Sequence, residues 1–293
     1  MNWIIKMNKL NKPVFKDYSA FKVLSANGNL KHHLALAGQD SFMLNAYRQY
    51  IEKKGFLKVN ACGIVSAATA EALRYYYKEP LKCISIINTI RSVNANSLCP
   101  MCGSMHSGTL DHVLPKESYP EFAIFTKNLV PACKCNVFKS TTIANAAGHR
   151  MLHPYFDNVL SQRLIRAEFT KLGRTPMIGV RIIIDPLSPD YNNVKYHLNN
   201  VVIKNDIQGY LSQLWESFYL QPETVVRGLN KSLITYEDVL SLLTRDLLLL
   251  DKKHKGKNNW NSVFVAGLIH PDVIKWLLYE LHLGNRDSDG CLI

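Results

Sequence analysis

Leu98 to Lys139 reads LCPMCGSMHSGTLDHVLPKESYPEFAIFTKNLVPACKCNVFK, and its two cysteine pairs govern the reading of the rest. Cys99 and Cys102 have a gap of two residues, which lets both thiolates of one tight turn reach a tetrahedral zinc at about 2.3 Å. Cys133 and Cys135 follow, one residue closer together than the usual knuckle. That turn must be tighter, or one ligand comes from elsewhere, His106 being the obvious substitute. Two close pairs around a compact segment favour structural Zn²⁺ over coincidental thiols, and zinc would staple a module too small to bury enough core by itself. Cys62, Cys83 and Cys291 stand apart and read as packed or incidental thiols.

Between the pairs, residues 109–116 (TLDHVLPK) alternate like a strand and place Asp111 directly before His112. After the second pair, residues 136–147 (NVFKSTTIANAA) read as a helix with Asn136 in its first turn, against the knuckle. A strand, a loop, a knuckle and a helix in this order outline a ββα-metal unit. Such a unit brings a carboxylate, an imidazole and an amide oxygen around a hard cation. An Asp-His pair or a helix-starting Asn is common alone; the joint order CxxC, DH, N, CxC, N is what carries meaning.

Over residues 98–139 the chain resembles the HNH endonucleases, in the branch stapled by zinc through two cysteine pairs. Outside that stretch the likeness is faint, apart from a preceding helix carrying Tyr75-Tyr76-Tyr77 and a following HPYFD at 153–157. The resemblance implies that Asp111 and Asn136 hold a catalytic Mg²⁺ or Mn²⁺ and that His112 is the general base. It implies that Asn128 pins the loop orienting the histidine and that Cys99, Cys102, Cys133 and Cys135 hold the structural zinc. The shortened second pair departs from the family pattern. Lys116 and Lys139 are placed to neutralise flanking phosphates. His149, His153 and Asp157 lie where they can border the site, although packing is the preferred reading. A neutral imidazole suits deprotonation of water at neutral pH, and a divalent ion suits stabilisation of the leaving alkoxide.

The surrounding chain fits a nucleic-acid partner. Of 293 residues, 35 are Lys or Arg and 23 Asp or Glu, for a net charge of +12 and a pI near 9.3. Residues 1–60 hold ten of the basic residues against three acidic ones. The plain alternative is a solvated basic face that only confers solubility. With 47% apolar and 20% charged residues the composition is that of a globular protein. No run reaches the roughly 18 apolar residues of a spanning helix, and the start MNWIIKMNKLNK lacks an h-region. Membrane insertion is therefore not expected, and a reducing cytoplasmic setting is.

The expected fold class is α+β: a basic, mainly helical region 1–95, the zinc-stapled nuclease module 96–150, and a mainly helical C-terminal region 151–293 with a small antiparallel sheet. Helices are expected over 40–54 (capped by Asp40 or Ser41, with Met43, Tyr47, Tyr50 and Ile51 on one face), 66–78 (capped by Ser66) and from Pro80 through Ile90. They are expected again over 206–219, 235–250, 259–269 and 272–283, with a charged loop at 251–257 and Gly284 closing the last. Segments 161–170, 177–185 and 194–203 read as strands, the first equally as a helix. One or two of Tyr75, Tyr76 and Tyr77 belong to the core, the alternative being base stacking.

The function expected is metal-dependent hydrolysis of DNA, on a duplex with weak sequence preference, targeted by the flanks or by a partner protein because no GxxxxGK[ST] loop is present. An anti-phage effector is the expected setting. The competing expectation is a catalytically silent, zinc-stapled nucleic-acid-binding or adaptor protein.

Overall fold

The computed structural model describes residues 9–93, 98–139, 143–283 and 290–292, and its class is α+β. Among the described residues, five helices precede the cysteine segment: α1 (Asp17–Ser25), α2 (His33–Leu36), α3 (Asp40–Glu52), α4 (Ala67–Lys78) and α5 (Ile86–Val93). Ser66 caps α4 as expected, its Oγ accepting from the Thr69 amide at 3.1 Å. The cap of α3 differs: Gln39 holds the position without a side-chain bond, and Asp40 accepts from Ser25 Oγ instead. Met43, Tyr47 and Tyr50 of α3 are buried, whereas Ile51 points outward. The helix expected from Pro80 is broken into a 3₁₀ turn, Lys82–Ile84, and α5, while Ile84, Ile87 and Ile90 still share the buried side. Tyr76 is core, Tyr75 is on the surface and Tyr77 lies between.

The hairpin is next. β1 (Thr109–His112) pairs antiparallel with β2 (Leu129–Ala132), with Thr109 opposite Ala132 and His112 opposite Leu129. The following helix is much shorter than 136–147: α6 spans Cys135–Phe138. Lys139 turns to extended backbone at ψ 118°, drawn back toward β1 by an ion pair, and Ala144 instead forms an isolated bridge with Arg150. Residues 140–142 of the expected helix lie outside the described residues, as do Lys6 of the basic segment, the 95/96 boundary and Gly284.

Downstream, β3 (Ile165–Thr170) pairs antiparallel with β4 (Met177–Ile182), burying Ile165, Ala167 and Phe169 by strand alternation. The third expected strand, 194–203, is helical: α7 (Tyr191–His197) continues through a π turn, Leu198–Val202, and a 3₁₀ turn, Ile203–Asn205. Val194, Leu198, Val201 and Val202 are all buried on that path, so packing at helical spacing overrides their β-branched preference. Then follow α8 (Ile207–Leu220), α9 (Pro222–Val225), α10 (Tyr236–Lys253), α11 (Trp260–Leu268) and α12 (Pro271–Leu281). A capping box at Thr235 and Asp238 starts α10, which runs into the stretch expected to be a charged loop.

One buried apolar cluster links all parts, from Phe21 and Tyr50 through Val130 to Trp215 and Phe264. Tertiary hydrogen bonds reach the cysteine segment from both flanks, Tyr50 on α3 and Trp260 on α11 among the donors. Residues Trp260 and Ser262–Leu268 of α11 are buried all round, which accounts for its apolar composition. No single described helix is long and apolar enough to cross a membrane.

Candidate metal centre and active site

The first cysteine turn is built from backbone. Gly103 N donates to Cys99 O at 2.9 Å and Cys99 N to Ser104 O at 3.0 Å. Gly103 adopts φ +80°, and a Cβ there would run into the Asn258 carbonyl, so only glycine closes the turn. β2 ends at Ala132, and α6 begins at Cys135, which carries the second pair to the first. Sγ of Cys99 and Cys135 lie 3.6 Å apart, those of Cys102 and Cys133 3.5 Å, and all four within 4.8 Å. A tetrahedral zinc with bonds near 2.3 Å sets its sulfurs about 3.8 Å apart, so the quartet matches the geometry. The short spacing of the second pair therefore closes without His106, which is exposed and outside the group. All four residues are buried, and burial pushes the Cys102 thiol well up. Such thiols favour the ionised form only beside a dication.

Donors around the sulfurs come from the C-terminal region. Asn205 Nδ2 donates to Sγ of Cys102 at 3.2 Å and of Cys133 at 3.4 Å. Trp260 Nε1 donates to Cys102 O at 2.8 Å, and His197 Nε2 to Met101 O at 2.5 Å. Such outer partners orient the ligands and offset thiolate charge. None was legible in the sequence, since Asn, Trp and His at positions 205, 260 and 197 carry no spacing signal. Cys62, Cys83 and Cys291 stay outside the quartet.

At the other end of the hairpin, His112 is buried against Tyr77, ring centroids 4.3 Å apart and edge to face. Its Nε2 lies 2.8 Å from the Ala123 carbonyl. A carbonyl only accepts, so Nε2 carries the hydrogen and Nδ1 keeps its lone pair. Burial lowers the pKa of His112 to about 3, leaving the ring neutral across the physiological range.

Asn128 sits where the resemblance placed a loop pin, and it is fully used. Its Oδ1 accepts from Leu114 N and Tyr50 Oη, each at 2.8 Å, and its Nδ2 donates to Leu114 O at 3.0 Å and Phe122 O at 3.2 Å. These bonds close the loop between the strands and hold Ala123 beside Phe122. Tyr50 is held in turn by His153. Because His153 Nδ1 accepts from Tyr155 N, its Nε2–H donates to Tyr50 Oη at 3.0 Å, which frees the Tyr50 hydroxyl for Asn128. Gly55, φ +78°, ends α3 at this point, where a Cβ would collide with the His153 ring. Asp157 accepts two bonds from Arg150 and one from His153 N. His153 and Asp157 are thus structural, and His149 stays in a surface turn with Asn145.

The charged residues are arranged differently from expectation. Lys139 is buried, with Nζ 2.5 Å from Asp111 Oδ2 and 2.8 Å from His112 O, so it faces inward. Lys116 Nζ contacts Glu117 Oε1 at 2.7 Å, and Arg74 Nε lies 3.1 Å from the other oxygen of that carboxylate. Burial raises the pKa of Asp111 and the Lys139 ammonium opposes it. Asn136 Nδ2 donates to Thr109 Oγ1 at 3.1 Å, on the same face of β1 as Asp111, while Asn136 Oδ1 is buried without a partner. An unspent amide oxygen on the strand face of a buried carboxylate fits a hard cation, and the Lys139 ammonium already holds positive charge at that carboxylate.

No protein-family model matches the chain, and no solved structure matches it. A stretch of 68 residues is 40% identical to protein ea31 of Escherichia phage lambda, covering 22% of this chain and 23% of that protein. The chain thus matches under a quarter of that relative's length.

Proposed function

We propose that the chain is a metal-dependent endonuclease of the HNH type that hydrolyses phosphodiester bonds of DNA. The observation carrying this reading is the geometry of His112: its Nε2–H is committed to Ala123 O and its Nδ1 keeps its lone pair, directly after Asp111 on a hairpin end pinned by Asn128. In this reading Nδ1 of His112 takes the proton of the attacking water, and Ala123 O steadies the imidazolium that forms. Asn128 keeps the ring from turning by fixing the loop that carries Ala123. Asp111 and Asn136 are the residues that would hold the divalent ion, with Lys139 giving up the carboxylate to it. A bound Mg²⁺ or Mn²⁺ supplies charge stabilisation for the phosphate and the departing oxygen.

The test is nicking of supercoiled plasmid with Mg²⁺ or Mn²⁺ against EDTA, by wild type and His112→Ala. Metal-dependent nicking lost in the variant is expected; nicking at the wild-type rate by the variant removes His112 from the mechanism. The setting we propose is phage–host conflict, in line with the phage lambda stretch, with targeting by a partner protein. Phage plating on cells expressing wild type or His112→Ala, together with the neighbouring genes, tests it.

A second reading, a zinc-stapled nucleic-acid-binding or adaptor protein without turnover, is favoured by one contact, the buried Lys139–Asp111 pair that uses the carboxylate internally. Absence of nicking in both metals alongside retained DNA binding selects it.

A further inference from the structure

On the rim of α3, away from the hairpin's acid–histidine pair, Lys9, Lys12 and Lys54 line one cavity of about 450 Å³, with Asn11 and Asn158 as further polar edges. Its wall is fixed rather than draped: Leu10 N donates to Pro154 O at 2.8 Å, and half-buried Lys9 donates to Tyr155 O at 3.1 Å. Lys12 lies 4.5 Å from the centroid of the Phe156 ring. Among the described residues, none of the three ammonium groups pairs with a carboxylate. The nearby acid, Asp157, is spent on Arg150 through two bonds of 2.7 and 2.6 Å. Burial lowers the pKa of Lys9, Asp157 opposes that, and Lys12 and Lys54 lower it further, as expected where several ammonium groups gather.

We propose that this cavity is a phosphate-binding site that takes the backbone of the DNA substrate at a distance from the reacting bond. The inference rests on the nuclease reading for its choice of ligand. A concave trio of ammonium groups without a direct carboxylate partner, with amide edges, recognises phosphate oxygens and carries no base information. The site also shares its scaffold with the reaction centre. Tyr155, whose carbonyl holds Lys9, donates its hydroxyl to Leu129 O on β2 at 2.8 Å, so a strand seated here is in fixed register with His112.

The experiment measures binding of a short fluorescent duplex by anisotropy across a salt series, in EDTA and in the His112→Ala background, so hydrolysis plays no part. Lys12→Gln with Lys54→Gln is expected to weaken binding and flatten the salt slope by about 0.9 for each lysine that meets a phosphate. Lys12→Arg with Lys54→Arg is expected to keep both, and pyrophosphate to compete with the duplex in the parent protein. Wild-type affinity and slope in the glutamine variant overturn the proposal, as does equal loss in the arginine variant. Loss of pyrophosphate binding with duplex binding unchanged assigns the cavity to a free phosphate compound and overturns the DNA assignment. Plasmid nicking by the wild type scores the nuclease reading separately, so either idea fails without the other.

Discussion

The two ends of the β1–β2 hairpin treat their polar atoms in opposite ways. At the cysteine end, four sulfurs converge to 3.5–3.6 Å within each close pair and find mainly one another and the Asn205 amide. At the other end, Asp111 is held by Lys139, His112 by Ala123 O, and every polar atom of Asn128 is bonded. The cysteine quartet leaves its ligand affinity unspent, as expected of a group that could hold a structural zinc. At the acid–histidine end the charges are already balanced, so a cation at Asp111 would have to displace Lys139, while Asn136 Oδ1 is left without a partner.

The contrast breaks most decisively at the cysteines. Cys102→Ala, or removal of zinc by a strong chelator, should unfold the module, since structural zinc contributes on the order of 10 kcal/mol of folding free energy. Elemental analysis finding no zinc in native protein, or an unchanged melting curve after chelation, contradicts this. Next in size is His112→Ala, for which nicking should fall by roughly 10²- to 10⁴-fold, the usual contribution of a positioned general base. Its zinc content should stay at the wild-type level.

Lys139→Met sharpens the same comparison. It leaves the Asp111 carboxylate buried without its cation, and loss of one partner of a buried pair costs about 3–5 kcal/mol. Denaturant unfolding should show that loss without metal, and millimolar Mn²⁺ should restore part of it if Asp111 takes a cation. A variant as stable as wild type shows that the pair contributes nothing to the fold.

The most gradual effect is on pH. Burial lowers the pKa of His153 to about 3 and of His197 to about 4, from an ordinary 6.5. Below about 6.5 the unfolded chain binds protons that the folded chain refuses, so stability should fall as pH drops, by about 1.4 kcal/mol per pH unit for each histidine. The loss should end near pH 4 for His197 and pH 3 for His153, where the folded rings also protonate. Urea midpoints that stay level between about pH 7 and about pH 5 remove these rings as the source of acid sensitivity.

Much of this arrangement was legible before any coordinates. Strand alternation at 109–112, the Ser66 cap, the buried stripe of Ile84, Ile87 and Ile90, and the helices expected at 206–219 and 259–269, found at Ile207–Leu220 and Trp260–Leu268, follow from periodicity and capping chemistry, which are local. The segment 194–203 misled because its valines are equally apolar at period two and at helical spacing. The core against which Val201 and Val202 pack decided for the helix. The helix expected at 136–147 also differs: α6 ends at Phe138, and Lys139 just beyond it pairs with Asp111.

The chain by itself determined the candidate ligands: four thiols in two pairs, a carboxylate next to an imidazole, and two asparagines between and after them. Spacing along a chain limits which atoms one turn can present to one point, and that is why the cysteines could be read so directly. Only the tertiary structure decided how the charges are spent. Lys139 is buried on Asp111, while Lys9, Lys12 and Lys54 line one cavity because the stretch at Leu10 hydrogen-bonds to Pro154, far along the sequence. Ion pairing and burial depend on what lies across space, and residue type alone carries no record of that.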